Sequence, residues 1–339
     1  NKFYKMIFLS TLFMSTMISI SSYTWLGTWM GLEINLLSFI PILKEKNNLY
    51  SSESSIKYFL IQTMASAIFL LSIIFMMIMN NLMSEMINMN NFMLLIINSS
   101  LLMKMGAAPF HFWFTDIIEN FNWMNSFLIM TWQKIAPMML ISYTIKYSYF
   151  IIIIIILCTM IGSIGGLNQI SLRKILAYSS INHMGWMISS FLMNELIWIF
   201  YFIIYSFILM SLIMMLNLYK IFFLKQFFLI LNNNIIMKFF LMINLLSLGG
   251  LPPFLGFLPK WLIIQYLNFN YSYLLLFMIL MSLITLFFYL RIMYSTLIIL
   301  NNNINFLIIN NKNYNFLMFN MIFISMNSLI ILTILFNFN

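Results

Sequence analysis

The chain has 339 residues, of which 63% are hydrophobic and only 7% charged, and its mean hydropathy is +0.99. A soluble domain of this length needs roughly a quarter charged residues to cover its surface, so the composition excludes one. The formal net charge of +9 would suit a nucleic-acid partner, but the placement of that charge along the chain argues against one.

Runs of about 20 apolar residues recur from end to end, the length a helix needs to cross a bilayer. Barrel strands would be half as long and would alternate polar with apolar, which these runs do not. The pattern predicts an all-α, polytopic transmembrane bundle of about eleven spans. The first, 3–22, follows directly on the starting segment, with no signal or transit peptide expected. The second, 24–43, carries Glu33, and the third is 56–79. The fourth, 92–118, holds Lys104, Gly106, Pro109 and His111, and the fifth, 123–146, holds Lys134. The sixth, 148–167, contains Cys158; with one cysteine in the chain, neither a disulfide nor a cysteine metal site is supported. His183 lies in the seventh, 174–193, and 196–219 is the eighth. The ninth, 237–267, includes Gly250, Pro252, Pro253 and Lys260, and 271–299 and 314–336 complete the set. Loops are short and rich in Asn, Ser and Lys. They leave one membrane domain, 1–339, read as two five-helix halves (1–146 and 147–300) with a carboxyl-terminal loop and helix (301–339).

Threading these spans puts twelve basic residues on the amino-terminal side: Lys2, Lys5, Lys44, Lys46, Lys57, Arg173, Lys174, Lys220, Lys225, Lys238, Arg291 and Lys312. Only Lys146 falls on the other side. That asymmetry is the positive-inside pattern, with the amino terminus on the side of synthesis and the carboxyl terminus outside. The net charge then serves topology and anionic lipid rather than nucleic acid.

Two spans are interrupted. Gly106-Ala107-Ala108-Pro109-Phe110 and Gly250-Leu251-Pro252-Pro253-Phe254 share the pattern Gly-x-x-Pro-Phe. Glycine and proline at mid-membrane break the backbone hydrogen-bond ladder, and the freed carbonyls need partners from neighbouring helices or water. The two breaks fall in the fourth member of each set of five, in helices that enter from opposite sides. Paired broken helices in inverted halves mark a transport pathway.

Glu33, Lys104, Lys134 and Lys260 remain inside spans, and His183 sits at the middle of the seventh. An ionised group at a helix centre costs about 2.5–3.5 kcal/mol on insertion scales, so such residues face a polar interior and pair with one another. A lysine in a low-dielectric interior releases its proton more readily, and an approaching carboxylate strengthens its hold. These five are therefore candidates for proton transfer. His111, next to the first break, is a possible relay or a cap for freed carbonyls. Asp116 and Glu119 lie near the surface. His111 and Asp116 also form His-x-x-x-x-Asp, a pattern of membrane acyltransferases. The spacing puts both roughly on one helical face, yet the basic phosphate-binding block those enzymes need is missing around Arg173 and Arg291. Nucleotide loops, metal-ligand clusters and flavin or haem motifs do not appear.

Five ordered stretches carry a resemblance: Trp25–Asn35, LLMKMGAAPFHFW (101–113), MTWQKIAP (130–137), SSINHMGW (179–186) and LSLGGLPPFLGFLPKW (246–261). Together they closely resemble the subunit 2 family of mitochondrial NADH:ubiquinone oxidoreductase, complex I. The abundance of Phe, Met, Ile and Asn looks like the AT-rich coding of an insect or related arthropod copy. The resemblance implies an antiporter-like membrane-arm subunit, with Glu33 and Lys104 as coupling pair, Lys134 continuing the axis and Lys260 serving the second half. Longer relatives carry three further amino-terminal helices, and the chain shares the shortening of animal copies. The same resemblance implies NADH, FMN, iron–sulfur clusters and ubiquinone held by other subunits, none by this chain. It implies partners among the other membrane-arm subunits, including a neighbouring antiporter-like one, with supernumerary subunits and lipids such as cardiolipin. The expected place is the mitochondrial inner membrane, amino terminus to the matrix and carboxyl terminus to the intermembrane space. The less favoured readings are a free-standing cation/proton antiporter and a structural spacer whose charges only fix helix register.

Overall fold

The computed structural model describes residues 2–44, 48–80, 91–145, 148–231 and 235–298. The predicted eleventh span, the terminal segment 301–339, and Lys46, Lys146 and Lys312 lie outside the described residues. Those described form fourteen helices and one isolated antiparallel bridge, Ser171 to Phe223. In chain order the helices are α1 Lys2–Ser21, α2 Trp25–Leu43, α3 Leu49–Asn80, α4 Asn91–Met105, α5 Phe112–Asn120, α6 Trp123–Met130 and α7 Trp132–Thr144. They continue with α8 Ser148–Gly166, α9 Leu172–Ser190, α10 Glu195–Tyr219, α11 Leu224–Leu231, α12 Ile235–Gly249, α13 Phe257–Leu267 and α14 Ser272–Ile298. Among the described residues, six helices are long and apolar enough to cross a membrane: those at Phe3–Ser21, Trp25–Leu43, Leu49–Ile78, Tyr149–Gly166, Glu195–Tyr219 and Ser272–Ser295.

Predicted spans four and nine are each a pair of helices joined by a break, α4 with α5 and α12 with α13. Two features depart from the expectation. The fifth span is also divided: α6 ends at Met130 and α7 starts at Trp132, with Thr131 at φ −118°, ψ −75° between them. The Thr131 N–H and hydroxyl both donate to the Phe127 carbonyl, at 3.0 and 2.7 Å, and Lys134 N–H donates to Thr131 O at 3.1 Å. That local closure satisfies the backbone without proline or glycine at the break. The second departure is α11, a short helix in a stretch expected to be loop. Gln226 Oε1 caps its start by accepting from Phe222 N–H and Phe223 N–H at 2.9 and 3.3 Å.

The chain forms two compact units, residues 1–158 and 159–339, divided within α8. In the first, α1 and α2 make a tight hairpin. Thr24 caps α2 by accepting from Gly27 N–H at 3.2 Å. Gly31 lies so close to α1 that a Cβ there would stand 2.7 Å from Ser19 N. Small residues at such contacts let helices approach where lipid offers no hydrophobic drive. Helix α3 packs on α2, α4 and α5, and α7 on α4 and α1.

In the second unit α9 is enclosed on nearly every side, while α10 packs on α9, α12 and α13. Helix α9 is less apolar than its neighbours, and that explains its place, because polar side chains are costly against lipid. Its serines return their hydroxyls to their own helix, as Ser179 does to Leu176 O at 2.8 Å and Ser190 to Met187 O at 2.6 Å.

The two Gly-x-x-Pro-Phe stretches fold alike. Gly106 has φ +70° and Gly250 φ +82°, the left-handed region that glycine enters without steric cost. In each stretch the fourth residue, Pro109 or Pro253, follows a cis peptide bond. A left-handed turn at the end of α4 and of α12 frees the last carbonyls and starts a second helix after a short bend.

Glycine is required for unequal reasons along the second break. A Cβ on Gly256 would stand 1.7 Å from the Ser247 carbonyl oxygen, whereas one on Gly249 would meet nothing closer than 3.7 Å. Gly256→Ala is expected to destabilise the fold by at least about 3 kcal/mol, the upper range for overpacking. Gly249→Ala should stay within about 1 kcal/mol of the parent. Thermal unfolding of the two variants in detergent measures the difference, and equal midpoints would refute the geometry.

Candidate functional site

The candidate lysines and histidines sit where the helices meet. Fractional exposure is 7% at Lys104, 1% at Lys134, 5% at Lys260, 6% at His183 and 5% at His111. Each helix-centre charge left against lipid would carry the full insertion penalty, so enclosure is what makes ionised groups tolerable at these positions.

In the first unit Lys104 occupies the last turn of α4, directly before the break. The carbonyls freed there are taken up by neutral donors. Gln62 Nε2 donates to Lys104 O at 3.0 Å, and Trp113 Nε1 to Met103 O at 3.2 Å. His111 Nδ1 donates to Pro109 O at 3.1 Å, and Cys158 Sγ lies 3.9 Å from Ala108 O. The ammonium of Lys104 is therefore not spent on the helix end. It lies 5.6 Å from the centre of the Phe69 ring and borders a cavity lined by Leu32, Asn35, Tyr58, Gln62, Gln133 and Pro137. Glu33 is half-buried on α2. It and Lys104 do not close into an ion pair. Lys57 and Glu53 do close one, at 2.7 Å on the exposed start of α3.

The helical positions explain this separation. Leu32, Asn35 and Leu36 share the face of α2 that borders the cavity. Glu33 is about 100° further round from Leu32 at 3.6 residues per turn, beside the exposed Met30, Ile34 and Leu37. Lys134 follows the break at Thr131 and lies 5.1 Å from the centre of the Phe114 ring. Its chain neighbour Gln133 reaches the Lys104 cavity and donates from Nε2 to Asn35 Oδ1 at 3.1 Å.

In the second unit α9 gathers the remaining candidates. His183 Nδ1 and Tyr201 Oη are 2.8 Å apart, and the Tyr205 ring lies 5.0 Å from the imidazole, centre to centre. Trp186, one turn further along α9, has Lys260 Nζ 5.8 Å from its ring centre. Lys260 donates to the Gly249 carbonyl at 2.8 Å, so here the lysine itself caps the broken helix.

His111 and Asp116 do not share the helical face their spacing suggests. His111 stands before the first turn of α5, buried and turned to Pro109, while Asp116 is exposed. Among the described residues no group of three His, Cys, Asp or Glu is placed to hold a metal ion.

Sequence reasoning passed over Asn35, Gln62 and Gln133, neutral amides inside apolar spans. Their signal was available, since an amide at mid-span is also costly without a partner. Tyr58 and Tyr201 carried none, lying among ordinary aromatic residues of a membrane chain.

Comparison with known proteins bears on what these buried groups serve. Residues 22–288 match the family model described as the transmembrane domain of NADH:quinone oxidoreductase/Mrp antiporter. NADH-ubiquinone oxidoreductase chain 2 of Anopheles gambiae is 52% identical over 291 residues, 85% of this chain and 84% of that one. The Locusta migratoria protein of the same name is 50% identical over 303 residues, 89% and 88% of the two chains. A chain of respiratory complex I from Thermus thermophilus superposes with a TM-score of 0.79 at 21% identity, over 87% of this chain and 70% of that one, a likeness of fold. The chain belongs to the NADH-ubiquinone oxidoreductase chain 2 family, within the NADH:quinone oxidoreductase/Mrp antiporter membrane proteins.

Proposed function

We propose that this chain is a core membrane-arm subunit of mitochondrial complex I and contributes to proton translocation driven by NADH oxidation and ubiquinone reduction elsewhere in the complex. The observation that carries the reading is the enclosure of Lys104, Lys134, Lys260 and His183 beside two broken helices of the same design. Membership of the chain 2 family supports the assignment to the complex. NADH, FMN, iron–sulfur clusters and ubiquinone belong to other subunits in this reading. Other membrane-arm subunits, a neighbouring antiporter-like one among them, supernumerary subunits and lipids such as cardiolipin surround the chain.

Energy reaches this chain as a change of charge pattern. Glu33, held apart from Lys104 in the structure, supports the charged lysine when it approaches and lets the proton go when it withdraws. Neutral donors cap the first break, so Lys104 can gain or lose its proton without unmaking a helix end. The proton passes on by way of Lys134, with His183 and Lys260 serving the second half; His111, turned to Pro109, has a capping part.

For Lys260 a structural role is also favoured by a specific contact, its donation to Gly249 O at 2.8 Å. Lys260→Met is accordingly expected to lower the amount of assembled complex, whereas Lys104→Met should leave the amount intact.

Proton pumping per NADH oxidised tests the main reading. In assembled complexes carrying Lys104→Met the yield is expected to fall clearly below that of the parent enzyme, and an unchanged yield would remove Lys104 from the pathway. Sidedness is tested separately with cysteines placed at the two ends of α10. Asn194→Cys should react with an impermeant maleimide from the intermembrane space, and Lys220→Cys only from the matrix. The reverse labelling would overturn the proposed orientation.

A further inference from the structure

The cavity beside Lys104 has a volume of about 10 Å³, at the lower bound of what one water needs. A buried water persists only where two to four polar groups hold it, and an apolar void of the same size stays dry. The lining decides between the two. Lys104 brings an ammonium with three donors, is nine-tenths buried, and among the described residues donates to no side chain or carbonyl. Around it stand the amides of Asn35, Gln62 and Gln133 and the hydroxyl of Tyr58.

The amides are not equally available. Gln62 spends its Nε2 on the Lys104 carbonyl, which ties α3 to the end of α4. Gln133 spends its Nε2 on Asn35 Oδ1, which ties α7 to α2. That leaves its Oε1 to accept, on a residue that borders the cavity. A second acceptor follows from the helix itself. Pro137 has no N–H to return to the carbonyl four residues earlier, and that carbonyl belongs to Gln133. Gln133 and Pro137 are one turn apart and border the same cavity. A lysine with donors to place and a glutamine with acceptors to offer thus line the same cavity, which has the room of one water.

We propose that the Asn35–Gln133 amide pair holds a single water against the Lys104 ammonium, which makes Gln133 the positioning residue through which Lys104 exchanges its proton. The water accepts a hydrogen bond from Lys104 Nζ and donates to Gln133. When Lys104 gives up its proton the water takes it, and the hydrogen not donated to Gln133 leaves along the route proposed above towards Lys134, so neither amide changes its protonation state. Asn35 matters because it fixes the rotamer of Gln133; without it the glutamine can turn its donor, not its acceptor, towards the water. The inference rests on the proton-handling role proposed above for Lys104.

The test combines a density map with two variants. In a high-resolution map of the intact complex, a water peak within about 3.2 Å of both Lys104 Nζ and a Gln133 oxygen is expected. Absence of that peak would overturn the proposal. Gln133→Met keeps the side-chain length and removes the amide. In assembled enzyme it should lower the proton yield per NADH, with proton transfer through this site slowed about tenfold, as loss of a hydrogen bond to a charged group implies. Asn35→Leu should act the same way, and the double variant no more than either alone. A merely structural amide pair would lower the amount of enzyme and leave the proton yield per NADH unchanged. Normal yield with Gln133→Met but impaired yield with Lys104→Met would overturn this inference alone. Normal yield with both would overturn the role of Lys104 as well. Should Gln133→Met fail to assemble, the water peak decides.

Discussion

A polar group inside a membrane has no solvent to fall back on. Every freed carbonyl and every ammonium between the bilayer surfaces must find a partner within the protein. The arrangement of this chain follows from that requirement. Helix α9, rich in serine and carrying Asn182 and His183, is enclosed because it could not face lipid. Helices α1, α3 and α14, apolar almost throughout, keep an exposed side. The long aliphatic runs thus shield the polar interior, and the residues with chemistry lie where the shield closes.

The broken helices show the same requirement at atomic scale. A left-handed glycine ends α4 and α12 before their carbonyls are satisfied. Both units then supply donors, but not of the same kind. The first uses an amide, an indole and an imidazole around Lys104. The second uses Lys260. One backbone design, repeated, therefore leaves one lysine unengaged and engages the other.

Much of this was legible in the sequence, for identifiable reasons. Glycine and proline announce helix breaks through backbone sterics alone, so both Gly-x-x-Pro-Phe stretches could be read without a structure. Lysines at mid-span stand out because almost nothing else justifies their cost. The division at Thr131 was not legible, since it comes from a side-chain hydroxyl and an N–H sharing the Phe127 carbonyl, with no glycine or proline at the break. Nor was the distance between Glu33 and Lys104. Charge type and span suggested a pair, but the rotational position of residue 33 on α2 turns it aside from the cavity that residue 35 borders. Small helix N-cap and loop features, such as α11, depend on tertiary anchors like Gln226 and leave little trace in composition.

The unequal engagement of Lys104 and Lys260 governs what deleting each one can teach. At position 104 the loss of the ammonium subtracts a charge and little else, because the neighbouring helix end keeps its own donors. At position 260 the same deletion also strips a hydrogen bond from the Gly249 carbonyl in the bilayer interior. Phenotypes at the two sites are therefore measured on different scales, one reporting chemistry and the other chemistry mixed with folding. Comparing their severities directly would credit the second lysine with work that its carbonyl partner is doing.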